Sequence, residues 1–208
     1  MRKSKPMTRS VVWPATLLRS GFLLPVLALA GCVSLGGAEP PESLLTLTPT
    51  SIAPAGAAIS AQRGDALALH EPAVPAELDL LRVPVRIDDA NLAYLKDAVW
   101  VERPAQLFRR LLAETIRTQG ERVVLSGGDP AARGSLQLRG NLSSFGYDAA
   151  QSAVVVRFDA TLLGSDGVVE QQRFEVIESG VMAEASSVGP ALNRAANDVA
   201  MQVAEWLE

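Results

Sequence analysis

From Val154 to Leu162, Val154, Val156, Phe158, Ala160 and Leu162 fall on one side of an extended chain, and Val155, Arg157, Asp159 and Thr161 fall on the other. Strict alternation predicts a β-strand. Leu136, Leu138 and Leu142 alternate in the same way up to Phe145, and Gly164-Ser165-Asp166-Gly167 forms a turn into Val168 to Ile177. Three such runs joined by short turns predict an antiparallel meander.

Upstream the apolar pieces are shorter. Leu44-Leu45-Thr46-Leu47 reads as a short strand, 48–64 as an Ala-, Pro- and Ser-rich loop, and Ala66 to His70 as a second strand ended by Glu71-Pro72. Leu80 to Ile87 and Leu92 to Leu95 flank the turn-forming Asp88-Asp89-Ala90-Asn91 and predict a hairpin, followed by a separate apolar piece, Val99-Trp100-Val101. Pro84 removes one ladder donor, which places it at an edge or a bulge.

Two segments follow the helical period instead. After Pro104, Leu107, Phe108, Leu111, Leu112 and Ile116 make one apolar stripe that Gly120 is placed to end, with Arg109, Arg110, Glu114 and Arg117 on the opposite, solvated face. Val188, Leu192, Ala195, Val199, Val203 and Trp206 form the second stripe, with Ser186 and Ser187 as capping candidates. Its polar positions include Asn193, Asn197, Asp198, Gln202 and Glu205 but only Arg194 is basic. Interfacial helices are usually basic on their polar face, so packing on the sheet is favoured over lying on a membrane. The predicted class is α+β: a two-layer sandwich, mainly antiparallel sheet, with both helices packed on one face.

The N-terminus changes this picture. Residues 1–31 hold five basic groups and no acid, and Gly21 to Ala30 is an apolar run that ends at Gly31-Cys32. This is signal-peptide geometry. An uncleaved transmembrane anchor would have to continue through Pro25 and the glycines at 31, 36 and 37. Leu29-Ala30-Gly31-Cys32 resembles the bacterial lipobox, which implies cleavage between Gly31 and Cys32, a diacylglyceryl group on the Cys32 sulfur and an acyl chain on its nitrogen. Residues 1–31 then read as a lipoprotein signal peptide, 32–43 as a lipidated Gly- and Pro-containing tether, and 44–208 as the folded domain. Val33 stands where an Asp commonly signals inner-membrane retention in enterobacterial lipoproteins, which implies the periplasmic face of the outer membrane.

Composition narrows the function classes. The 208-residue chain has one Cys and one His, which excludes an internal disulfide and makes a protein-built zinc site improbable. Its net charge of −4 averages the basic leader over a body of −9, which argues against nucleic acid. A Gly-x-Ser-x-Gly elbow is absent, and Ser126-Gly127-Gly128-Asp129-Pro130 lacks the P-loop Lys. His70, at a strand end without a nucleophile nearby in sequence, reads as structural, and Asp88-Asp89 as turn residues rather than paired catalytic carboxylates. No catalytic residue, metal or cofactor is expected beyond the acyl groups on Cys32.

The string Leu44-Leu45-Thr46-Leu47, Val74-Pro75-Ala76-Glu77-Leu78-Asp79, Arg82-Val83-Pro84-Val85-Arg86, Leu92-Ala93-Tyr94-Leu95, Trp100-Val101-Glu102-Arg103-Pro104 and Leu107 to Leu112 covers nearly all of the mature chain in order. It resembles the ABC-type transport auxiliary lipoprotein family, the lipoproteins associated with mammalian-cell-entry (MCE) domain lipid transporters. The resemblance implies a non-enzymatic periplasmic subunit whose partners are an MCE protein, an ABC permease and an ATPase, moving phospholipid or a related lipid between two membranes. Tyr94, Trp100, Glu102 and Arg103 are the candidates for a partner-facing corner, and burial of Trp100 against the first helix is the structural alternative. A different class also fits an α+β lipoprotein: an assembly factor for an outer-membrane protein or a cell-wall enzyme.

Overall fold

The computed structural model describes residues 43–120, 122–164 and 166–208. Seven strands and two helices follow in the order β1 (Leu67–Leu69), β2 (Arg82–Arg86), β3 (Leu92–Val99), α1 (Pro104–Gln119), β4 (Val124–Ser126), β5 (Leu136–Asp148), β6 (Ala153–Leu163), β7 (Val169–Ser179) and α2 (Ala185–Trp206). Predicted signal peptide, Gly31, Cys32 and nearly all of the tether lie outside the described residues.

The meander forms as expected: β5 pairs antiparallel with β6 along its whole length, and β6 with β7. A bulge between Leu142 and Ser144 resets the alternation of β5. Leu138 and Leu142 are therefore buried at even positions, and Phe145 and Tyr147 at odd ones.

The other edge of β5 departs from a mainly antiparallel sheet. It is shared by two short strands that both run parallel to it, β1 opposite Leu136 to Leu138 and β2 opposite Tyr147 and Asp148. Ala73 bridges Asn141 between them. Residues 74–81, which carry a short 3-10 turn at Ala76–Leu78, leave the sheet and return as β2. β4 then adds parallel to β1, and β3 antiparallel to β2, so the sheet is mixed.

The β2–β3 hairpin also differs in detail. β3 continues through Lys96 and Asp97 to Val99, so Val99 ends the strand instead of opening a separate apolar piece. A register shift between Arg82 and Pro84 absorbs the extra residues, with Asp97 at φ 57, and this is the bulge expected of Pro84. Leu44 to Leu47 makes a single bridge, Leu45 to Trp100, in place of a strand.

Both helices cover one face. Phe108 of α1 packs on Phe158 of β6 at 5.3 Å between ring centroids, and Trp206 of α2 on Phe174 of β7 at 5.7 Å; Phe158 and Phe174 are register partners. α2 begins earlier than expected, so Ser186 and Ser187 lie inside it, and Glu184 at its N-cap makes no side-chain cap bond.

Asn197 is not on a solvated stripe: it is 9% exposed and clamps the segment after Leu45 onto α2. Its Oδ1 accepts from Thr50 N and Thr50 Oγ1, both at 2.9 Å, and its Nδ2 donates to Thr48 O at 3.0 Å. Asn193 Oδ1 accepts from Thr48 N at 2.8 Å. Leu45 fills the space a side chain would take at Gly189, since a Cβ there would stand 2.6 Å from it. Asn197→Ala leaves Thr50 N and Thr48 O unpaired and is expected to destabilise the domain by about 1–3 kcal/mol. Urea unfolding reads this out, and an unchanged midpoint would show that the strap contributes nothing to the fold.

Candidate functional site

The four predicted corner residues sit where β3 enters α1, but they do not form one surface. Trp100 points into the core, 1% exposed, with its ring 5.4 Å from Phe145. Its indole Nε1 has no hydrogen-bond partner among the described residues. Its side chain therefore belongs to the core, which corrects its placement as a partner-facing residue. Tyr94 lies half-buried on the opposite face of the sheet, register partner of Pro84, with the Arg82 guanidinium 4.8 Å above its ring. Glu102 pairs with Arg110, eight residues onward in α1, at 2.7 Å, and Arg103, at the N-cap of α1, pairs with Asp79 at 3.1 Å. Arg103 and Glu102 thus tie the 3-10 excursion and α1 to the end of β3. Exposed pairs of this kind contribute about 0–1 kcal/mol each, so their role is directional more than energetic.

The sheet face away from the helices carries a feature the sequence analysis missed. Register pairing aligns Tyr94, Pro84, Gly146, Val155 and Ile177 in one weakly polar row across five strands. Gly146 is essential to it, because a Cβ there would stand 2.5 Å from Pro84 O. A groove of about 220 Å³ opens over Pro84, Gly146 and Val155 of this row and is lined as well by Glu77 and Leu78 of the excursion and by Leu92. Two guanidinium–carboxylate pairs flank it: Arg86 with Asp148 at 3.2 Å on one side and Arg157 with Glu175 on the other. Alternation within each strand pointed to a polar outer face, but the row exists only through long-range register.

Electrostatics are locally satisfied. Burial raises the Asp148 pKa, but hydrogen bonds from Gln151 and the Arg86 guanidinium outweigh it and hold the carboxyl below the usual aspartate range. Asp159 is held low chiefly by the Arg173 hydrogen bond, with Ser143 and Arg157 helping against partial burial. Because the folded state depresses the Asp148 pKa, the stability it contributes is full above the unfolded-state value and is lost as pH falls through the folded one. Asp148→Asn is therefore expected to lower stability at neutral pH and flatten its decline in acid. Urea midpoints measured from neutral to acidic pH test this, and parallel curves for the two proteins would refute it.

The remaining titratable candidates have structural partners. His70 Nε2 meets Gln137 Oε1 at 2.6 Å, and its ring occupies the space a side chain at Gly127 would need. Asp88 Oδ1 accepts from the backbone N–H groups of Ala90 and Asn91, both at 2.8 Å, which is a turn cap. Among the described residues no group of three or more His, Cys, Asp or Glu is placed to hold a metal, and no helix is long and apolar enough to cross a membrane.

Fold and surfaces together define a two-layer α+β sandwich with a grooved, ion-paired sheet face turned to solvent. Residues 46–204 match the model of the ABC-type transport auxiliary lipoprotein component family, and the chain belongs to that family. It is similar in fold to protein XCC0632 from Xanthomonas campestris, designated DUF330, at 21% identity and a TM-score of 0.61, covering 80% of this chain and 91% of that one. It is also similar in fold to the crystal structure of an uncharacterized protein, at 16% identity and a TM-score of 0.63, covering 80% of this chain and 100% of the other. No curated protein matches the chain.

Proposed function

We propose that this auxiliary component of ABC-type transport is anchored through lipidated Cys32 to the periplasmic face of the outer membrane. There it serves an MCE-type system, with its ABC permease and ATPase, that moves phospholipid between the inner and outer membranes. Family membership over residues 46–204 is the observation that carries this reading. The lipobox-like Leu29-Ala30-Gly31-Cys32 supplies the anchor, and a chain whose sole His and Asp88 are committed to packing and a turn supports action by contact instead of catalysis. In a strain lacking the protein, exchange of labelled phospholipid between the two membranes is expected to slow, and to be restored by the intact chain but not by Cys32→Ser. Unaltered exchange in that strain would refute the role.

A further inference from the structure

Four large aliphatic side chains are exposed at one corner: Leu44 at 53%, Leu80 at 44%, Leu81 at 44% and Val101 at 46%. Backbone hydrogen bonds gather them. Leu45 N donates to Val99 O at 2.7 Å, Val101 N to Leu45 O at 2.9 Å, and Trp100 N to Leu81 O at 2.8 Å. Leu45 and Trp100 are bridge partners that turn inward, so their neighbours Leu44 and Val101 turn outward by alternation. Charges around this corner are matched, Asp79 with Arg103 and Glu102 with Arg110, while Arg82 stands over the Tyr94 ring close by. On a body of −9, that makes the corner a place without acidic excess.

The same corner is where the folded domain begins. Cys32 and Ser43 are eleven positions apart, a chain that spans at most about 40 Å. A lipid on Cys32 therefore holds these side chains at high effective concentration beside the bilayer, where even a small apolar patch engages. We propose that the corner formed by Leu44, Leu80, Leu81 and Val101 rests on the phospholipid surface that holds the anchor, so that the domain has one fixed face toward the membrane. This rests on the lipid-anchor reading above. A protein partner has no comparable tether on this chain and would have to reach the patch from solution.

Because lipidation occupies the sulfur of Cys32, an introduced cysteine is a unique thiol. The full lipidated chain carrying Leu80→Cys, labelled with an environment-sensitive fluorophore, is reconstituted into vesicles of phosphatidylethanolamine and phosphatidylglycerol containing a nitroxide-labelled lipid. Ile87→Cys provides the control: Ile87 is similarly exposed, at 48%, but follows the far end of β2, whose near end is preceded by Leu80 and Leu81. Quenching is expected at Leu80 and not at Ile87, and adding Leu81→Glu and Val101→Glu is expected to abolish it while the protein still floats with the vesicles. Flotation with equal or absent quenching at both sites overturns the patch contact and leaves the anchor standing. Failure of the chain to float overturns the anchor reading and the contact with it. Recovery of a protein crosslink at Leu80 in cells, with no quenching in vesicles, also overturns the bilayer as the occupant.

Discussion

Cys32→Ser is expected to abolish incorporation of labelled palmitate and to release or mislocalise the protein. The reason is chemical. Only a thiol receives the diacylglyceryl group through a thioether, and Cys32 is the single Cys of the chain. Burying a methylene of an acyl chain stabilises membrane attachment by about 0.8 kcal/mol, so two or three chains hold firmly where one holds marginally, and a residue with none does not hold at all. Labelling followed by fractionation reads this out. A Cys32→Ser protein that still labels would refute the lipobox reading.

Trp100→Ala is expected to produce the largest loss of stability of any single substitution at the predicted corner. Truncating a fully buried Trp costs about 3–5 kcal/mol, a large share of the roughly 5–15 kcal/mol that holds a domain together. The ring packs on Phe145, and its backbone N–H bonds Leu81 O, so the cavity opens where β3, the 80–81 segment and the strap at Leu45 meet. Arg103→Ala, which breaks only the exposed pair with Asp79, is expected to change stability by less than about 1 kcal/mol. Thermal or urea unfolding distinguishes them. Wild-type stability in Trp100→Ala, together with lost partner recovery, would return Trp100 to the surface.

Elements governed by local period were legible in the chain itself: the β5–β7 meander, the α1 stripe ended at Gly120 and the α2 stripe all lie where alternation or helical spacing places them. Even the β5 bulge left a trace, in the shift from Leu142 to Phe145. What did not show was long-range. The parallel seats of β1 and β2 along β5 depend on partners about sixty to seventy residues away in register, and no local pattern encodes them. Asn197 looked like a solvated helix residue because its partners, Thr48 and Thr50, are nearly 150 residues distant. Trp100 is ambiguous in sequence because an aromatic between two valines fits either side of a strand; the inward turn of Leu45 beside it decides the matter. The candidate groove needed both the register among its strands and the return of the 74–81 excursion.

The central claim is that this lipoprotein works by contact within an MCE-type ABC lipid transport system. It is tested most directly by crosslinking cells that carry the tagged full-length chain, purifying it from solubilised membranes and identifying its partners by mass spectrometry. The expected result is recovery of an MCE-domain protein with the ABC permease and ATPase, lost in Cys32→Ser. Recovery of an outer-membrane β-barrel or a peptidoglycan synthase, with no transport component, would contradict it and favour an assembly role.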